Sequence, residues 1–128
     1  MQQIALDTNI AIDLLNGNQD LLERLGTFDL LCLPVTVCGE LLFGALNSGR
    51  PEENLQRFKA FIDACQVLNS NVVVAEEYSI IRKALKEIGR PIPENDIWIA
   101  AICQVNEIPL LTKDKHFSHI EGMVLIDL

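Results

Sequence analysis

Apolar residues along this chain fall into two alternating patterns. One is the short unbroken run: Ile4-Ala5-Leu6 ends at Asp7, Leu30-Leu31-Cys32-Leu33 ends at Pro34, Ile108-Pro109-Leu110-Leu111-Thr112 ends at Lys113-Asp114, and Met123-Val124-Leu125-Ile126 closes the chain. Gln66-Val67-Leu68 is a weaker candidate of the same kind. Such runs predict strands buried on both faces, as in a parallel sheet. The other pattern repeats every three to four residues. Over residues 52–65, Leu55, Phe58, Phe61, Ile62 and Cys65 share one helical face; over 72–88, Val74, Tyr78, Ile81, Leu85 and Ile88 do so, and Gly89 with Pro91 marks the stop. Residues 36–46 and 95–105 are further helices, the second with Ile97, Ala100, Ala101 and Cys103 suited to packing on a sheet and Trp98 anchoring one side. Strands alternating with helices predict an α/β fold, with a mainly parallel sheet of about five strands covered on both faces. No repeat, low-complexity tract or linker interrupts the pattern, so a single domain spanning 1–128 is expected.

That topology gives certain polar residues a common address. In right-handed β-α-β units the carboxyl ends of strands and the amino ends of the following helices share one edge of the sheet, where ligands usually bind. Asp7 ends the first run and Thr8-Asn9 enters a helix; Glu40 lies in the first turns after Pro34; Asp96 follows Pro91-Ile92-Pro93; Asp114 follows the run ending at Thr112. All four carboxylates reach the same edge. About one residue in seven is acidic, and an aspartate such as Asp96 at a helix start is favoured by capping and the dipole alone, so no single one is informative. Jointly they are, because four carboxylates brought together repel one another unless a hard cation neutralises them, and an oxygen-rich cluster suits Mg²⁺ or Mn²⁺. Such an ion orients water and stabilises charge on a phosphodiester, which makes hydrolysis of a nucleic-acid backbone the leading chemistry. Thr8, Asn9 and Thr112 are placed either to donate hydrogen bonds to these carboxylates or a phosphate oxygen, or simply as cap and turn residues.

Charge complicates the reading. Ten basic against eighteen acidic residues leave a net charge of −8, the opposite of a general nucleic-acid binder's footprint. Bound divalent cations would cancel part of it, and a basic partner protein would cover the rest. Cys32, Cys38, Cys65 and Cys103 stand singly among apolar neighbours and read as buried thiols rather than a zinc site. Met1-Gln2-Gln3 shows no basic flank and no long apolar stretch follows, so neither a signal peptide nor a membrane span is expected and the location is cytoplasmic.

Four blocks in this order, Leu6-Asp7-Thr8-Asn9, Glu40-Leu41-Leu42-Phe43-Gly44 with Ser48, Asn95-Asp96-Ile97-Trp98-Ile99-Ala100-Ala101, and Leu111-Thr112-Lys113-Asp114-Lys115-His116-Phe117, give the chain its resemblance to PIN-domain proteins of the VapC type, the ribonuclease toxins of bacterial toxin–antitoxin pairs. The resemblance spans nearly the whole chain. It implies a compact three-layer α/β/α sandwich, homodimerisation, Mg²⁺- or Mn²⁺-dependent endonucleolytic cleavage of RNA, and inhibition by a cognate antitoxin. Carried onto this sequence, it makes Asp7 and Asp96 the principal metal ligands, with Glu40 and Asp114 completing the site directly or through water.

Other features divide between roles. Arg82, Lys86 and Arg90 recur every fourth residue as a basic stripe that reads either as a solvated helix face or as a grip on RNA phosphates together with Lys113 and Lys115. His116 and His119 have no evident acid–base partner, so His116 is read as structural or phosphate-contacting and His119 as exposed. Phe28, Phe43, Phe58 and Phe61 suit core or dimer contacts better than base stacking. No nucleophile elbow or glycine-rich phosphate loop is present, which removes serine hydrolases and P-loop enzymes. Asn9 stands where a haloacid-dehalogenase-like phosphatase needs a second aspartate. The remaining alternative from another class is a receiver-like Mg²⁺-binding switch domain without nuclease activity, although Leu6-Asp7-Thr8 lacks the adjacent acidic pair such a domain carries.

Overall fold

A computed structural model describes residues 2–127; Met1 of the Met1-Gln2-Gln3 start and Leu128 lie outside the described residues. Five strands, β1 (Gln3–Leu6), β2 (Leu30–Pro34), β3 (Gln66–Leu68), β4 (Leu110–Leu111) and β5 (Leu125–Ile126), form one sheet in the order β3-β2-β1-β4-β5. Every neighbouring pair is parallel. The helices are α1 (Thr8–Leu15), α2 (Gln19–Leu25), α3 (Val35–Leu46), α4 (Pro51–Ala64), α5 (Val72–Glu87) and α6 (Glu94–Asn106), with a 3₁₀ turn at Lys115–His119. The chain starts in the middle of the sheet, works outward through β2 to β3, then returns to lay β4 on the other side of β1. With right-handed crossovers this order puts α1 to α4 on one face and α5 with α6 on the other, the three-layer α/β/α sandwich. Reversal of direction between β1 and β4 opens a crevice at the carboxyl ends of these two strands.

Burial follows the apolar pattern. Ile4, Ala5 and Leu6 of the central strand are wholly inaccessible. Helix α6 buries Ile97, Ile99, Ala100, Ala101, Ile102 and Cys103, apolar almost all round because it is enclosed between the sheet, α5 and α3. All four cysteines are free thiols, three of them buried and Cys65 half-buried. Three differences from the sequence reading have local causes. Helix α2 went unanticipated, since it is only seven residues long and buries just Leu21 and Leu25. The third and fourth apolar runs pair over fewer residues than their length, although Pro109, which has no N–H to give, still accepts a hydrogen bond from the Ala5 amide at 2.9 Å. Finally, Arg90 lies beyond the basic helix: Gly89 takes φ +66°, and the Arg90 and Gly89 amides bond back to the Leu85 and Lys86 carbonyls at 3.0 and 3.1 Å, closing α5 before Arg90 can join its face.

Candidate active site

The crevice between β1 and β4 holds Asp7, which is 6% exposed and the one buried charged residue among those described. Its position is fixed twice. One carboxylate oxygen, Oδ1, accepts the Thr8 amide at 2.8 Å and so caps α1, while Oδ2 accepts the Thr112 hydroxyl at 2.6 Å, tying the end of β1 to the end of β4. The same Thr112 oxygen accepts the Asp114 amide at 3.0 Å, which turns the chain so that Asp114 faces back toward the crevice. From α3, Glu40 joins through Thr8, whose hydroxyl donates to Glu40 Oε2 at 2.9 Å.

Asp96 arrives from the first turn of α6. That helix begins at Pro93 without a side-chain cap, so the Asp96 carboxylate is not spent on capping, contrary to the bland reading of an aspartate at this place. Burial, reinforced by the charges of Asp7 and Asp114, pushes its carboxyl up to about 6, with partial relief from His116. Asp96, Asp114 and His116 present ligand atoms that all lie within 4.8 Å of one another. This donor set, mostly hard carboxylate oxygens under mutual repulsion, fits a divalent cation of the Mg²⁺ or Mn²⁺ type.

Asp96 and Asp114 therefore meet, Asp7 adjoins them through Thr112 and through its charge on Asp96, and Glu40 is tied to Asp7 only by way of Thr8; Asn9 is exposed and takes no part in these hydrogen bonds. Two expectations need correction. His116 does have acidic partners, its Nδ1 lying 3.0 Å from Asp114 Oδ1 and 3.6 Å from Asp96 Oδ2, because the 3₁₀ turn capped by Asp114 folds the imidazole back over the site. Lys113 is ion-paired with Asp13 of α1, which offsets the charge it was expected to offer RNA; Lys115 remains exposed and unpaired among the described residues. His119 is exposed, as read. One further polar residue shares the helix face of Glu40. Thr36 lies one turn before Glu40 on the same face of α3, and its hydroxyl is buried without a protein partner among the described residues. The i, i+4 spacing from Glu40 was the available signal.

A model of the PIN domain matches residues 4–123. The chain belongs to the PIN-domain family. Among its relatives, ribonuclease VapC1 of Haemophilus influenzae (strain R2866) is 30% identical over 123 residues, 92% of each chain, and the tRNA(fMet)-specific endonuclease VapC of Shigella flexneri is 30% identical over 129 residues, 96% of each. Among solved structures, a DNA-bound VapBC from Salmonella typhimurium superposes with a TM-score of 0.92 at 28% identity, covering 99% of this chain and 98% of the other. VapBC-1 from nontypeable Haemophilus influenzae gives 0.90 at 29% identity, covering 98% of both chains. The PIN domain described here thus carries the fold and the strand order on which its acidic crevice depends, and no observation favours the receiver-like switch.

Proposed function

We propose that this chain, as one PIN-like domain spanning 1–128, is a Mg²⁺- or Mn²⁺-dependent endoribonuclease and the toxin of a type II toxin–antitoxin pair. The observation that carries the reading is the Asp7, Asp96 and Asp114 cluster at the sheet's reversal point, in a fold shared with VapC ribonucleases. Asp7 and Asp96 would hold the ion, with Glu40 and Asp114 completing its shell directly or through water. When bound, the ion supplies an activated water and neutralises charge developing on the phosphodiester. Thr112 and Thr8 keep Asp7 and Glu40 oriented for that task. Lys115 and His116, at the exposed rim, meet the incoming phosphate.

Incubation of the purified protein with mixed RNA tests the reading. Cleavage is expected in Mg²⁺ or Mn²⁺, none in EDTA, and a loss of about a hundredfold or more in Asp7→Asn and Asp96→Asn. Activity that persists in EDTA, or at full rate in both variants, overturns it. Partners follow from the same reading. The VapBC relatives are toxin–antitoxin complexes, and a net charge of −8 supports pairing with a basic antitoxin segment. Phe43 and Leu46, 67% and 60% exposed on α3, supply apolar surface suited to a homodimer, whereas Phe28, Phe58 and Phe61 pack against the core. No helix among the described residues is long and apolar enough to cross a membrane, which accords with the cytoplasmic placement proposed for this pair.

A further inference from the structure

A cavity of about 390 Å³ opens where the end of α5 meets the start of α6. Leu85, Pro91, Ile92 and Ile97 give it apolar walls, and the charged Arg82, Lys86 and Glu94 complete its lining. The volume falls within the roughly 300–1,000 Å³ of small-molecule sites and accommodates one nucleotide. Ile97 follows Asp96 directly, so the cavity shares the first turn of α6 with the acidic crevice. A helix with its side chains is about 10–12 Å across. A single RNA strand covers that span in roughly three stacked nucleotides at about 3.4 Å each.

Half of the other eight cations are ion-paired among the described residues. Arg24, Arg50, Lys83 and Lys113 each pair with a carboxylate, whereas Arg82 and Lys86 have none within ion-pair distance among the described residues. Arg82 is nonetheless held. Its guanidinium donates to the Tyr78 hydroxyl at 2.8 Å and lies 5.9 Å from the centre of that ring, and the hydroxyl in turn donates to Glu94 at 2.8 Å. Tyr78 is braced by stacking on Trp98, with centroids 4.0 Å apart and planes 14° off parallel. Glu94 thus orients Tyr78 and offsets part of the charge of Arg82 through it, leaving Lys86 as the cation without a carboxylate in its hydrogen-bond network. In a protein of net charge −8, two unpaired cations, one of them preoriented, beside an apolar recess match a ligand that is flat and apolar at one end and anionic at the other.

We propose that this cavity binds one nucleotide of the RNA near its cleavage point, the base against Pro91, Ile92 and Ile97 and the phosphate on Arg82 and Lys86; the inference rests on the ribonuclease reading above. Trp98, the only tryptophan, reports on it through Tyr78. The test titrates the full chain, in EDTA, with the four nucleoside 5′-monophosphates and with inorganic phosphate, following Trp98 fluorescence excited at the red edge of the indole band. At least one monophosphate is expected to give a saturable change. Inorganic phosphate and the Arg82→Gln/Lys86→Gln variant should bind about tenfold more weakly or worse. In RNA cleavage the same variant should raise KM and leave kcat and the metal-induced rise in Tm unaltered. No saturable response to any monophosphate, equal binding by the variant, or an unchanged KM overturns the nucleotide site while the nuclease reading stands. Saturable, Arg82-dependent binding in a protein that cleaves no RNA supports the site and sinks the nuclease reading instead.

Discussion

At Asp96, burial and the neighbouring charges of Asp7 and Asp114 oppose ionisation together, and His116 relieves them only in part. A carboxyl raised to about 6 from its ordinary 3.8 holds its proton more tightly in the folded chain than in the unfolded one. Its contribution therefore favours folding below about pH 4 and is lost as pH rises through 6, at a cost of up to about 3 kcal/mol once ionised. Asp96→Asn should accordingly stabilise the metal-free protein by about 1–2 kcal/mol at pH 8 and make little difference near pH 4, as measured by urea unfolding. The same variant should lose the rise in Tm that Mn²⁺ gives the native chain. Since an ion must displace the Asp96 proton, affinity for Mn²⁺ should fall as pH drops below 6. Equal destabilisation of the variant at both pH values would show that the carboxylate serves packing instead of a cation. Thr112 bears a different load, donating to Asp7 and accepting from the Asp114 amide. Thr112→Val keeps the shape and removes both bonds. RNA cleavage should drop about 10- to 100-fold, with a matching loss of metal affinity and little change in the fold; full activity would assign Thr112 to the turn alone.

Elements differ in how plainly the sequence announces them, and the reason is how much of each is decided by nearest neighbours. Helices α4 and α5 are legible from long apolar repeats, α5 with Gly89 and Pro91 at its stop, and β1 and β2 because unbroken apolar runs end at Asp7 and Pro34. Helix α2 and the 3₁₀ turn are held by few anchors, Leu21 with Leu25 and Phe117 respectively, too few to set a period. The acidic site was legible as far as topology decides it, since strand-end and helix-start positions bring Asp7, Glu40, Asp96 and Asp114 to one edge. Contacts across 105 residues, such as Thr112 to Asp7, could be anticipated as a class of donor, but the approach of His116 to Asp96 depends on a tight turn that no spacing encodes. One element end carries strain. Helix α6 closes with the Glu107 and Ile108 amides bonding back to the Gln104 and Cys103 carbonyls at 3.1 and 3.0 Å, a geometry that puts Glu107, a residue with a Cβ, at φ +54°. Left-handed backbone costs about 1 kcal/mol or more outside glycine. Glu107→Gly is expected to stabilise the protein by about 0.5–1 kcal/mol in urea unfolding, and a loss of stability would mean that the Glu107 side chain contributes more than its backbone costs.

Considered whole, the molecule combines a surface of net charge −8 with a substrate proposed to be a polyanion. Few cations are placed to offset this. Arg82, Lys86 and Lys115 are unpaired toward the active edge, and Lys113 is engaged by Asp13. Each phosphate neutralised on single-stranded nucleic acid contributes about −0.7 to the slope of log affinity against log salt, so three contacts allow a slope of about −2. RNA affinity, measured in EDTA across a KCl series, should therefore weaken only gently, where a strongly basic binder would lose several orders of magnitude. A slope of about −5 or steeper would require about seven phosphate contacts, more than the unpaired cations among the described residues supply. The antitoxin proposed as partner faces the opposite situation, because a basic segment laid on this acidic surface gains from every exposed carboxylate it approaches. Such gains are screened with a Debye length that shrinks from about 10 Å at 0.1 M to about 3 Å at 1 M salt. Between those concentrations the pair should dissociate at least about tenfold more readily, and the released protein should cleave RNA that the low-salt complex leaves intact. Complex stability that is flat or rising with salt would instead assign the pairing to apolar contacts, for which Leu22 of α2 and Val72, Val73 and Ile80 of α5 are exposed.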